Sequence, residues 1–115
     1  MKLKIRGITY NFEIHQQEEE LPYLVLLHGF LGSGESFNHI IPELKKISKP
    51  VTVDLLGHGG TEGSELHYRF SAKEQVADLT KLISEQISHP VYIYGYSMGG
   101  RLALQLVIHK PALFR

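Results

Sequence analysis

Apolar and polar positions alternate at the start of the chain, in Leu3-Lys4-Ile5-Arg6 and again in Tyr10-Asn11-Phe12-Glu13-Ile14. Alternation with period two predicts half-buried strands, and Gly7 between the runs predicts an antiparallel hairpin at a sheet edge. Gln16 to Glu20 is a polar, acidic turn. The pattern then changes. Tyr23-Leu24-Val25-Leu26-Leu27 is apolar without a break, which predicts a strand covered on both faces. A glycine-rich loop, His28-Gly29-Phe30-Leu31-Gly32-Ser33-Gly34, follows it. Phe37, Ile40, Ile41, Leu44 and Ile47 recur at helical spacing and predict a helix from Ser36 to Ile47. Pro42 should kink or restart it, and Pro50 should mark its end.

Val51-Thr52-Val53 reads as a short buried strand ending at Asp54, and Leu55 to Gly63 is a second glycine-rich loop. Ser71 can cap a long helix, because Glu74 stands three residues on, as in a capping box. Val76, Leu79, Leu82, Ile83 and Ile87 supply its apolar stripe. Pro90 resets the chain for the strand Val91-Tyr92-Ile93-Tyr94, and a last helix closes at His109-Lys110-Pro111. Strands alternating with helices predict a mostly parallel, doubly wound sheet. Right-handed crossovers place helices on both of its faces.

The most specific stretch is Gly95-Tyr96-Ser97-Met98-Gly99-Gly100, between that strand and that helix. Strand, sharp turn and helix with a serine at the apex is the context of a nucleophile elbow. Ser97 is therefore the candidate catalytic residue. Gly95 and Gly99 fit positions where strand and helix pass too close for side chains. The backbone N–H groups of Phe30 and Met98 are the candidate oxyanion hole, one from the loop after an earlier strand and one just after the serine. A serine of this kind needs a base held by a carboxylate, and both follow it in chain order. His28 precedes Ser97, so its expected role is a loop-orienting hydrogen bond. Asp54 and His58 are expected to bond backbone in a tight turn. Arg101 lies one helical turn beyond Ser97. Spacing leaves it open between a carboxylate clamp and a surface ion pair. Tyr96 is a candidate pocket residue or a packed aromatic. His15, His39, His67, His89 and His109 fall in surface-like positions with no motif around them.

Composition narrows the classes. The chain of 115 residues suits one small domain, and its 12 basic and 12 acidic residues balance. No basic excess points to nucleic acid and no acidic tail to a solvating role. With no cysteine, disulfides and thiolate metal sites are excluded. No H-x-H or H-E-x-x-H spacing supports a metal site, and no cofactor is expected. No signal-like N-terminus and no apolar run of about 18 residues is present, so a cytoplasmic protein without membrane contact is the default.

Together, His28-Gly29-Phe30, Asp54-Leu55-Leu56-Gly57-His58-Gly59 and Gly95-Tyr96-Ser97-Met98-Gly99-Gly100 resemble the α/β-hydrolase superfamily. The implied fold class is α/β: the N-terminal portion of an α/β-hydrolase domain over residues 1–115. His28-Gly29-Phe30-Leu31-Gly32-Ser33, and the run from Gly95 to Leu104, are similar to one lyase family of that fold. Its members are the 2-succinyl-6-hydroxy-2,4-cyclohexadiene-1-carboxylate synthases of menaquinone biosynthesis. This resemblance implies elimination of pyruvate from 2-succinyl-5-enolpyruvyl-6-hydroxy-3-cyclohexene-1-carboxylate. It also implies that Arg101 contacts a carboxylate of a small-molecule substrate and that Phe30 and Met98 supply the oxyanion hole. Members of that family are about twice as long. The triad Asp and His and the lid are then expected beyond Arg115, the 115-residue chain alone is expected to be inactive, and its last strand is left as an open edge available for self-association. The alternatives are a serine esterase or hydrolase of the same fold, and a non-catalytic truncated chain.

Overall fold

The alternating runs pair as expected. In the computed structural model, which describes every residue except His89, strands β1 (Lys2–Ile5) and β2 (Ile8–Ile14) form an antiparallel hairpin. Its two-residue turn has Arg6 at φ 49° and Gly7 at φ 89°, the left-handed pair that matches the twist of a tight hairpin. Strand β2 then runs antiparallel to β4 (Lys49–Val53), and β4 is parallel to β3 (Tyr23–Leu27). Strand β5 (Val91–Gly95) lies parallel on the other side of β3. The sheet order is β1-β2-β4-β3-β5. Val25 pairs with both Val51 and Ile93, so the carboxyl ends of β3, β4 and β5 line up along one rim.

The two faces of the sheet are covered unequally. Helices α2 (Ala72–Gln86) and α3 (Met98–His109) pack on one face. The main core there includes Val25, Leu27, Val53, Leu79, Leu82 and Leu106. Ser71 caps α2, its hydroxyl accepting from the Glu74 N–H. On the other face a smaller cluster joins Leu26, Phe37 and Ile41.

Two expectations need correction. The continuous helix from Ser36 to Ile47 is instead a 3-10 turn at Gly34–Phe37 and a one-turn helix, α1 (Ile41–Leu44). Pro42 sits in the first turn of α1, where a missing N–H costs nothing, so the proline restarts the helix. Pro50 is not a helix end but the second residue of β4. It lies where the β2–β4 ladder stops, and its carbonyl still accepts from the His15 N–H, so only one rung is half made.

Beyond α3 the chain makes a 3-10 turn at Pro111–Leu113 and extends at Phe114. The Arg115 N–H donates to the Val91 carbonyl at 2.9 Å, on the otherwise free side of β5. Among the described residues no helix is long and apolar enough to cross a membrane.

Candidate active site

At the end of β5 the chain turns abruptly. Tyr96 N–H donates to the Leu27 carbonyl, and α3 begins at Met98. Ser97 at the apex has φ 52° and ψ −110°. A serine pays roughly 1–3 kcal/mol for such backbone, and here the surroundings enforce it. A Cβ on Gly95 would meet the Gly99 carbonyl oxygen at 2.3 Å, and one on Gly99 would meet the Leu27 carbonyl oxygen at 2.2 Å. Strand and helix are in backbone contact, which holds the turn tight. Ser97 is exposed, and its hydroxyl makes no hydrogen bond among the described residues.

Two further loops meet this turn at the same rim, and two histidines tie them together. His28 is fully buried; its Nε2 accepts from the Leu55 N–H at 3.0 Å and its Nδ1 donates to the Gly29 carbonyl. His58 answers from the other loop, accepting from the Leu31 N–H at 3.0 Å and donating to the Leu56 carbonyl. The two rings lie 5.0 Å apart. Each ring must be neutral to accept. Burial lowers the His28 pKa below the ordinary imidazole value, which suits that role. Asp54 completes the fastening. One carboxylate oxygen accepts from the Gly34 N–H, and the other from the Gly60 N–H and the Asn11 amide. Burial opposes its charge, but these hydrogen bonds outweigh burial and lower its pKa.

The loop so held carries Phe30, whose N–H donates to no protein acceptor among the described residues. The Met98 N–H, at the start of α3, is equally free. The Met98 side chain packs against the core, so its backbone is the part the site can use. The other candidates divide about the turn. Ser97 and Arg101 line one trough with Gly100 and Leu104, between the free side of β5 and α3. Phe30 and Tyr96 line a separate cavity of about 510 Å³ on the other side. Arg101 is exposed and makes no ion pair among the described residues.

Some residues were not anticipated. Phe37 and His39, just after the glycine-rich loop, and Tyr94, near the end of β5, line the cavity. His15 is not a free surface residue: it is half-buried, with Nε2 2.9 Å from the Thr52 hydroxyl. His39, His67 and His109 are exposed as expected, and His89 lies outside the described residues.

Known proteins share both sequence and geometry. The profile described as alpha/beta hydrolase fold matches residues 22–115. A Bacillus subtilis protein assigned as a 2-succinyl-6-hydroxy-2,4-cyclohexadiene-1-carboxylate synthase is 39% identical over 88 residues, covering 76% of this chain and 32% of that protein. The magnesium-chelatase 30 kDa subunit of Rhodobacter capsulatus is 40% identical over 90 residues, covering 78% of this chain and 31% of the relative. The chain thus spans about a third of the length of these relatives. Among solved structures, a marine microorganism esterase superposes with a TM-score of 0.83 at 27% identity, over 92% of this chain and 39% of the esterase. The sheet order, the strained serine turn and the matched residues lead to one placement: this chain belongs to the alpha/beta hydrolase fold family.

Proposed function

We propose that this chain is the nucleophile-bearing part of a serine-dependent enzyme acting on a small carboxylate, with lyase chemistry of the pyruvate-eliminating kind. One observation carries the reading. Ser97 is held strained and exposed, and the N–H groups of Met98, next to it in the chain, and of Phe30, on the neighbouring loop at the same rim, have no protein acceptor among the described residues. Free N–H donors of this kind can stabilise negative charge developing on a substrate oxygen placed against them. Arg101 shares the Ser97 trough and is free of ion pairs among the described residues. A guanidinium one turn from the serine suits a substrate carboxylate held by two parallel hydrogen bonds.

A substrate carboxylate on Arg101 would bring the rest of the substrate into the trough that Ser97 lines. In the lyase a proton leaves a ring carbon, its electrons form a new ring double bond as the ring's C–O bond to the enolpyruvyl group breaks, and the departing enolpyruvate takes a proton on its CH2 carbon to become pyruvate. Neither His28 nor His58 is free to take that proton, since both are committed to backbone. The reading thus assigns the serine, oxyanion hole and carboxylate clamp to this chain, and the base to a longer protein. The second reading is ester hydrolysis, favoured by the likeness to the marine esterase.

The test uses the longer protein that contains these residues. Pyruvate release from the cyclohexene substrate and hydrolysis of a neutral 4-nitrophenyl ester are measured side by side. For the lyase, Ser97→Ala should lower pyruvate release about 10³-fold or more. Arg101→Ala should lower it about 10²-fold with a much smaller effect on the neutral ester. Equal losses on both substrates would make Arg101 structural, and turnover of the ester alone would establish the hydrolase. The 115-residue chain by itself should turn over neither.

A further inference from the structure

The loop that carries Phe30 holds a strain of its own, separate from that of the serine turn. Leu31 has φ 68°, a conformation that residues with a Cβ rarely adopt. Gly29 to Gly32 form a tight turn, with the Gly32 N–H donating to the Gly29 carbonyl at 3.0 Å. Leu31 stands at its third position, where a positive φ ordinarily calls for glycine or asparagine. Strain of this kind persists only where the surroundings enforce it. Side-chain packing does not enforce it here, because Leu31 is 83% exposed. The enforcing contact is to the backbone: the Leu31 N–H donates to His58 Nε2 at 3.0 Å.

His58 is itself held from several sides. Its Nδ1 donates to the Leu56 carbonyl at 3.0 Å, which leaves Nε2 as an acceptor. Its backbone N–H donates to the Leu55 carbonyl. Its ring lies 5.0 Å from the His28 ring and meets the Phe30 ring edge to face at 5.8 Å. A Cβ on Gly59 would strike the Asp54 carboxylate at 2.3 Å, so the loop carrying His58 closes directly on Asp54. Without the acceptor, Leu31 can relax to negative φ by turning over the peptide between Phe30 and Leu31, the change that separates the two commonest turn types. That rotation runs through Phe30, whose N–H is the candidate oxyanion donor. A donor contributes fully only when it is already in place as charge develops. We propose that His58 is a positioning residue of the oxyanion hole, its Nε2 holding the strained Leu31 so that the Phe30 N–H keeps one orientation. The inference deepens the functional reading above and rests on it. His58 touches no substrate in this role; it acts through Leu31.

Two measurements test it. In the 115-residue chain, a nitrogen–nitrogen scalar coupling between Leu31 N and His58 Nε2, read by NMR, reports the hydrogen bond directly. The coupling should be present, and it needs no variant, so it decides the contact even where a substitution fails to fold. His58→Ala should broaden or double the Phe30 and Leu31 amide resonances. His58→Gln, whose side-chain oxygen can take the place of Nε2, should keep them single. In the longer protein, kcat and KM are measured on whichever of the two substrates is turned over. His58→Ala should lower kcat about 10-fold while KM changes less than about twofold, and His58→Gln should recover most of that loss. Leu31→Gly separates positioning from packing, because glycine takes positive φ freely. In that background His58→Ala should cost only about threefold or less. A missing coupling, equal losses from His58→Ala in both backgrounds, or His58→Gln as slow as His58→Ala would overturn the proposal. Turnover that survives Ser97→Ala would remove the functional reading and the oxyanion role with it, while the coupling would still show whether His58 holds Leu31. A missing coupling with Ser97-dependent turnover intact would remove only the role given to His58.

Discussion

At the scale of single residues, the site depends on side chains that hold backbone rather than on those that would touch substrate. His28, His58 and Asp54 fasten the loop bearing Phe30 through their hydrogen bonds to main-chain groups. This makes stability depend on pH with a definite sign. The folded pKa of His28 lies below its ordinary value of 6.5, through burial. Its contribution is therefore complete above about pH 6.5 and is lost as pH falls through the folded value. Asp54 is also lowered, from 3.8, so its contribution is present above that pH and lost at still lower pH. Urea midpoints should fall in two stages, one below about pH 6.5 and one below about pH 4. Burial lowers His15 in the same direction, so the comparison is with His28→Asn. The upper stage should be smaller in that variant, and an identical profile would remove His28 as its source.

At the scale of elements, a buried charge network joins parts the apolar pattern treats separately. Arg69, in the 3-10 turn His67–Phe70, is fully buried. It donates to the Asp78 carboxylate on α2 and to the carbonyls of Ile5 and Arg6 at the end of β1. The Tyr10 hydroxyl, on β2, donates to the same carboxylate at 2.7 Å. Burial, then the Asp78 hydrogen bond, holds that phenol well above its ordinary pKa. Removing one partner strands a buried charge. Arg69→Ala should cost about 3–5 kcal/mol in urea unfolding, whereas Arg69→Met with Asp78→Leu should recover most of that loss. A cost below about 1 kcal/mol for the single change would show that water reaches Asp78. Nothing in the local pattern signals this network. Arg6 and Tyr10 are far from Arg69 and Asp78 in the chain, and each charge alone reads as a solvated surface charge.

At the scale of the whole molecule, β5 is an edge without the usual protection. Val91 to Gly95 contains no charge and no proline, and Tyr92 and Tyr94 remain 44% and 49% exposed. The Arg115 N–H meets only the Val91 carbonyl. Edges of this composition pair with other strands, and a formal net charge of zero offers no repulsion against it. The 115-residue chain should therefore gain mass with concentration in light scattering. Tyr92→Lys, which places a charge on the open face, should shift that onset to higher concentration. A constant monomer mass across the range would show the edge to be closed.

The sequence alone determined the hairpin, strands β3 and β5, the capped helix α2 and the serine turn. Each of these is written in local terms: period, cap, glycine spacing and the contrast between apolar run and polar loop. It also placed Ser97, Phe30, Met98, Arg101 and Tyr96 near one rim, because chain order and strand direction bring successive loops to the same end of a parallel sheet. Tertiary structure decided the rest. It broke the helix expected from Ser36 to Ile47, put Pro50 into a strand, and buried Arg69 and Asp78 together. It also parted Arg101 from Tyr96 on opposite sides of the turn. Helical spacing tells which residues share a face of one element, but which side of a rim that face meets depends on how strand and helix pack at Gly95 and Gly99. That is a contact between backbones, and no pattern of side chains along the chain encodes its direction.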